Sequence, residues 1–103
     1  MPNLKKVFGK HYLVEFIGCD SEKLKRVKDI KPILLKAAKA SKATIIKYFF
    51  HQYQPFGVTG VILISESHFS IHTWPEDAYV TFDILTCGKM FPLKAIEIIK
   101  KSL

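Results

Sequence analysis

Three stretches of this chain, Val58 to Ser65, Phe69 to Trp74 and Tyr79 to Thr86, carry the β-branched, aromatic and alternating residues of strands. They are separated only by short connections at Glu66-Ser67-His68 and Pro75-Glu76-Asp77. Links this short join antiparallel neighbours, so the middle of the chain has to be a meander. Ahead of it, His11 to Ile17 alternates with Tyr12, Val14 and Phe16 on one face and His11 and Glu15 on the other, and Thr44 to Tyr53 is again β-branched and aromatic. Pro55-Phe56-Gly57 turns the chain into the meander.

Two segments carry helical spacing instead. Ile33, Leu34, Ala37 and Ala38 form an apolar stripe, with Asp29 placed to cap it and Pro32 in its first turn. Pro92 opens the second helix, where Leu93, Ile96, Ile99 and Leu103 recur every three or four residues. The order β-α-β-β-β-β-α predicts an α+β fold, a two-layer sandwich of a mainly antiparallel sheet with two helices on one face. Val14, Phe16, Phe69, Ile71, Val80, Phe82 and Ile84 supply the helix-covered face. The other face carries His11, Glu15, His68, Ser70, His72, Trp74, Thr81 and Asp83, with Cys87 just past its end. Leu13, Trp74, Tyr79 and Leu85 also lie there, so a second sheet from another copy is expected to cover it in a homodimer.

With 103 residues, 49% of them hydrophobic, the chain suffices for one domain over 1–103 and no more. No run of eighteen apolar residues occurs and the first ten residues lack the apolar stretch of a secretion signal, so no membrane is expected and the cytoplasm is the expected location. Cys19 and Cys87 belong to no metal-like cluster, so free thiols and no metal are expected. The net charge of +7 raises nucleic acid as a partner, but all 16 Lys and Arg lie in 1–47 or 89–103. Residues 48–88 hold Glu66, Glu76, Asp77, Asp83 and three of the four histidines, which suits a cationic small molecule better than a phosphate backbone. No nucleic acid is expected.

The run Ile64-Ser-Glu-Ser-His-Phe-Ser-Ile-His-Thr-Trp74 concentrates hydroxyls and imidazoles where a plain strand has no use for them. A serine hydroxyl becomes a useful nucleophile beside a base or in a strained peptide, and Ser67 has His68 and His72 within a few residues of sequence. These blocks, with Gly9-Lys10-His11, Glu15-Phe16, Gly57-Val58-Thr59-Gly60, Ile71-His72-Thr73-Trp74-Pro75-Glu76 and Asp83 to Gly88, resemble the short prokaryotic S-adenosylmethionine decarboxylases. Those are self-processing, pyruvoyl-dependent enzymes.

The resemblance implies cleavage between Glu66 and Ser67 into fragments 1–66 and 67–103, with Ser67 converted to the covalent pyruvoyl cofactor that forms a Schiff base with substrate. It implies His72 as the processing base, supported by Thr59, where the family usually has serine, and by His68. Cys87 is implied as the proton donor in decarboxylation, and Tyr53, Trp74 and Glu76 as substrate-binding, with Tyr53 in place of the usual phenylalanine and Gln52 in place of the usual arginine. The implied activity is decarboxylation of S-adenosylmethionine for spermidine and polyamine synthesis. The same pyruvoyl chemistry on arginine or ornithine is the alternative. A non-enzymatic basic binding module, or an unprocessed partner subunit, is a further one.

Overall fold

The computed structural model describes residues 9–87 and 89–103. Gly88, which closes the Asp83-to-Gly88 motif, and the first eight positions of the leading segment lie outside the described residues. The elements are β1 (Lys10–Ile17), α1 (Val27–Ala40), β2 (Ile45–Gln52), β3 (Val58–Ile64), β4 (Ser67–Trp74), β5 (Tyr79–Thr86) and α2 (Pro92–Ser102), with 3₁₀ turns at Ser21–Leu24 and Pro75–Asp77. They form one sheet in the order β1-β5-β4-β3-β2, every ladder antiparallel. That order leaves β1 and β2 on opposite edges and parallel to each other, joined by the α1 crossover.

Both helices cover one face of the sheet. Burial alternates residue by residue along β3 and β5, and the buried positions Val58, Ile62, Ile64, Phe69, Ile71, Val80, Phe82 and Ile84 meet Ile30, Leu34, Ala37 and Ala38 of α1 and Ala95 and Ile99 of α2. Phe69 and Phe82 pack edge to face with centroids 5.9 Å apart at the centre. Gly60 is required here. A Cβ on it would lie 2.3 Å from the ring of Phe50, its cross-strand partner, which occupies the space the missing side chain leaves.

The fold class and the assignment of faces agree with the sequence, and four local expectations do not. Asp29 is not the cap of α1, because the helix starts at Val27. Its first N–H donates instead to Gln52 Oε1 at 2.8 Å, a cap delivered from β2. Pro32 therefore sits inside the helix, past its first turn. Leu93 is 66% exposed, and Ala95 takes its place in the buried stripe of α2. Ser67 and His68 belong to β4 and not to a connection, since Ser65 and Glu66 alone make the turn.

The opposite face of the sheet carries Leu13, Ile17 and Phe49 at 78%, 82% and 70% exposure. No element of the described chain covers them.

Candidate active site

The turn between β3 and β4 is wound against the usual preference. Two-residue hairpins favour positive φ at the first turn position, which suits the twist of the strands. Among the described residues the non-glycines with positive φ are Lys42, Ser67 and Ala78, so Ser65 and Glu66 both have negative φ and the misfit falls on Ser67, at φ +152°. A residue with a side chain rarely adopts that angle, at a cost of about 1–3 kcal/mol.

Three backbone donors fix this strained peptide. Ser65 N–H donates to Thr44 O at 2.9 Å, and Thr44 N–H donates to Glu66 Oε1 at 3.0 Å. Cys87 N–H donates to the Glu66 carbonyl oxygen at 2.9 Å. The last bond polarises the carbonyl between Glu66 and Ser67, and the same N–H can hold an oxyanion formed there. The Cys87 thiol itself stands at an exposed position.

Beside this turn, on the uncovered face, Asp83 gathers three side chains of the sheet's polar patch. His11 Nε2 lies 2.5 Å and His68 Nε2 3.2 Å from Asp83 Oδ2, and Ser70 Oγ donates to Asp83 Oδ1. Burial alone would push the Asp83 carboxyl up, but the bonds from Ser70, His11 and His68 and the charge of His68 outweigh it and hold it below the usual carboxylate range.

A second cluster sits farther along the sheet. Thr59 Oγ1 bonds His72 Nδ1 at 3.0 Å and the Tyr53 hydroxyl at 3.1 Å. The His72 ring lies 6.2 Å from Trp74, which in turn packs 5.3 Å from Tyr79. Tyr53, Phe56, Thr59, His72, Trp74 and Glu76 line one cleft of about 410 Å³. That volume is within the range of small-molecule sites. The edge of this cleft is basic, with Lys25 Nζ 4.5 Å and the Arg26 guanidinium 5.3 Å from the centre of the Phe56 ring.

The structure thus brings Tyr53, Thr59, His72, Trp74 and Glu76 together, and separately brings Glu66, Ser67, His68 and Cys87 together. It does not join the two groups. His72 stands five residues beyond Ser67 on an extended strand, which places their backbones roughly 16 Å apart. Nearness in sequence suggested a Ser67–His72 pair, and strand extension separates it.

Asp83, Thr44 and Gln52 had no role assigned from the sequence. Asp83 alternates onto the polar face, but its partners stand on β1 and β4 and meet it only through the register. Gln52 does not face the cleft: its Nε2 points to the carbonyls of Lys25, Tyr53 and Gly57 at 2.8, 3.0 and 3.1 Å.

Residues 10–103 match the model of the family described as S-adenosylmethionine decarboxylase. The chain is 48% identical over 99 residues to the S-adenosylmethionine decarboxylase proenzyme of Thermotoga petrophila, covering 95% of this chain and 76% of that protein. It is 46% identical over 101 residues to the proenzyme of Sulfurihydrogenibium, covering 97% and 76%. Its backbone superposes on the crystal structure of the adenosylmethionine decarboxylase from Aquifex aeolicus with a TM-score of 0.87 at 42% identity, over 95% of this chain and 82% of that one. With a matching sequence, fold and family model over nearly its whole length, the chain belongs to the S-adenosylmethionine decarboxylase family.

Proposed function

We propose that the chain cuts itself between Glu66 and Ser67 and that the product decarboxylates S-adenosylmethionine, supplying the aminopropyl donor of spermidine synthesis. The observation that carries this reading is the peptide itself, with Ser67 at φ +152° and the Glu66 carbonyl oxygen held by Cys87 N–H. Relief of strain and polarisation of the carbonyl both favour attack of the Ser67 hydroxyl on the Glu66 carbonyl carbon. The C–N bond breaks as the C–O bond forms, leaving an ester and a free amine. Removal of the Ser67 α-proton then expels the Glu66 carboxylate from Cβ and leaves an enamine; a proton added to Cβ converts it to an imine, which water hydrolyses, releasing ammonia and leaving a pyruvoyl ketone. His68, fixed to Asp83, holds the start of β4 in place.

His72 is the base for the α-proton step, oriented by Thr59 through its Nδ1. The roughly 16 Å between His72 and Ser67 along one strand supports a base supplied by a second copy. The uncovered face with Leu13, Ile17 and Phe49 is the surface on which that copy docks, sheet against sheet, as a homodimer. A two-fold axis across this face would set the His72 end of each β4 over the Ser67 end of the other.

The strained, clamped turn fits a pyruvoyl group made from Ser67. When formed, its ketone supplies an electron sink for the charge left by departing carbon dioxide. Cys87 returns a proton to the substrate's α-carbon, Tyr53 and Trp74 stack on the adenine, and Glu76 accepts hydrogen bonds from the ribose.

The test combines intact mass with release of carbon dioxide from carboxyl-labelled S-adenosylmethionine, arginine and ornithine. Fragments 1–66 and 67–103 with release from S-adenosylmethionine are expected. One uncut species with no release overturns the proposal, and release from arginine or ornithine alone overturns the substrate.

A further inference from the structure

His11, His68 and Asp83 stand on three adjacent strands, and the processing and decarboxylation steps above leave His11 and Asp83 without a chemical task. Leu85 is the cross-strand partner of both histidines, so the imidazoles flank β5 from either side, and Asp83 lies two residues away on the same face. We propose that these three side chains form a binding site for a divalent transition metal ion of zinc(II) character. The inference does not depend on the chain being a decarboxylase.

The donor set is that of a borderline ion: two imidazole nitrogens and one carboxylate oxygen, all within 4.8 Å of one another. Alkaline-earth ions, which take six or more oxygens, are poorly served by it. With bonds of about 2.0–2.2 Å, tetrahedral ligands stand roughly 3.3 Å apart. His68 Nε2 already lies 3.2 Å from Asp83 Oδ2. His11 Nε2, at 2.5 Å, has to withdraw by less than an ångström, which an edge-strand side chain with 45% exposure can do.

The carboxylate is also prepared. Ser70 Oγ occupies Oδ1, which turns Oδ2 toward both imidazoles, and the Asp83 side chain is only 15% exposed. Such outer hydrogen bonds fix the orientation of a metal ligand and raise affinity. Among the described residues no fourth His, Cys, Asp or Glu joins the group, so the remaining position falls to water or to the face of a second copy. The sequence showed no metal-like spacing because the ligands meet only across strands.

Cobalt(II), a spectroscopic stand-in for zinc, tests this on the purified protein. The expected result is saturable visible absorption at one ion per chain, with affinity reduced about tenfold or more in His11→Ala and in Asp83→Asn. His51→Ala, which removes an exposed histidine elsewhere, is expected to bind as the unaltered protein does. Absence of saturable absorption, undiminished binding by both site variants, or an intense near-ultraviolet thiolate band placing the ion on a cysteine would each overturn the proposal. Far-ultraviolet circular dichroism separates lost ligation from lost folding, and Asp83→Asn keeps the side chain's shape should His11→Ala perturb the edge strand.

Discussion

Replacing Gln52 by Ala removes the side chain that ties the start of α1 to the β2–β3 turn. Its Oε1 accepts from Val27 N–H at 2.8 Å, while Nε2 has two hydrogens to share among the carbonyls of Lys25, Tyr53 and Gly57. Three simultaneous bonds at about 1 kcal/mol each give an upper figure of about 3 kcal/mol, and partial water access to the vacated partners lowers it to about 2. At 4–8 °C per kcal/mol for a domain of this size, the midpoint is expected to drop by roughly 8–24 °C. Urea and thermal unfolding of the Ser67→Ala chain, which is expected to stay in one piece, gives the measurement. A double-mutant cycle isolates the cap. Val27→Pro removes the N–H that Gln52 accepts, and Arg26 at φ −131°, ψ 146° already has the extended backbone a following proline demands. In that background Gln52→Ala should cost about 1 kcal/mol less. Equal losses in both backgrounds, or a loss below about 0.5 kcal/mol in the first, would refute the tertiary cap.

Ser67→Ala is expected to leave a single full-length species by intact mass, and any cut form of it would remove Ser67 from the chemistry. Mixing refolded Ser67→Ala with His72→Ala chains should restore partial cleavage of the His72→Ala chain if the Ser67→Ala copy supplies the base that it lacks; uncut mixtures would place the base elsewhere. Thr73→Val strands the buried Val58 N–H and the Leu24 carbonyl, which Thr73 Oγ1 now satisfies at 2.9 and 2.8 Å, and should cost about 2–4 kcal/mol in urea unfolding. Asp83 has its carboxyl held below the usual range, so it stabilises the fold above the unfolded pKa of about 3.9 and loses that contribution as pH falls through the folded value. The penalty of Asp83→Asn at neutral pH is therefore expected to fade in acid, and a penalty unchanged at pH about 3 would refute the assignment.

The strands and their faces were legible in the sequence because each is buried on one side only, which writes an alternation into β4 and β5. The start of α1 was not, since its cap comes from Gln52, 25 residues away. Nor was the extent of β4, because Ser65-Glu66 lacks the glycine or asparagine that marks a two-residue turn. The family blocks pointed to Ser67, His72 and Cys87 as chemistry, but a motif read along the chain cannot show that an extended strand holds its members apart. The His11–His68–Asp83 cluster was equally hidden, as only strand register brings it together.

The strand order has one further result. A break between Glu66 and Ser67 would open only the tip of a hairpin, and the smaller piece would carry β4 and β5, which lie between β1 and β3 of the larger. Neither piece could then leave without tearing both flanking ladders at once. The severed polypeptide would persist as an interlocked pair, its cohesion owed to the sheet and not to the lost bond.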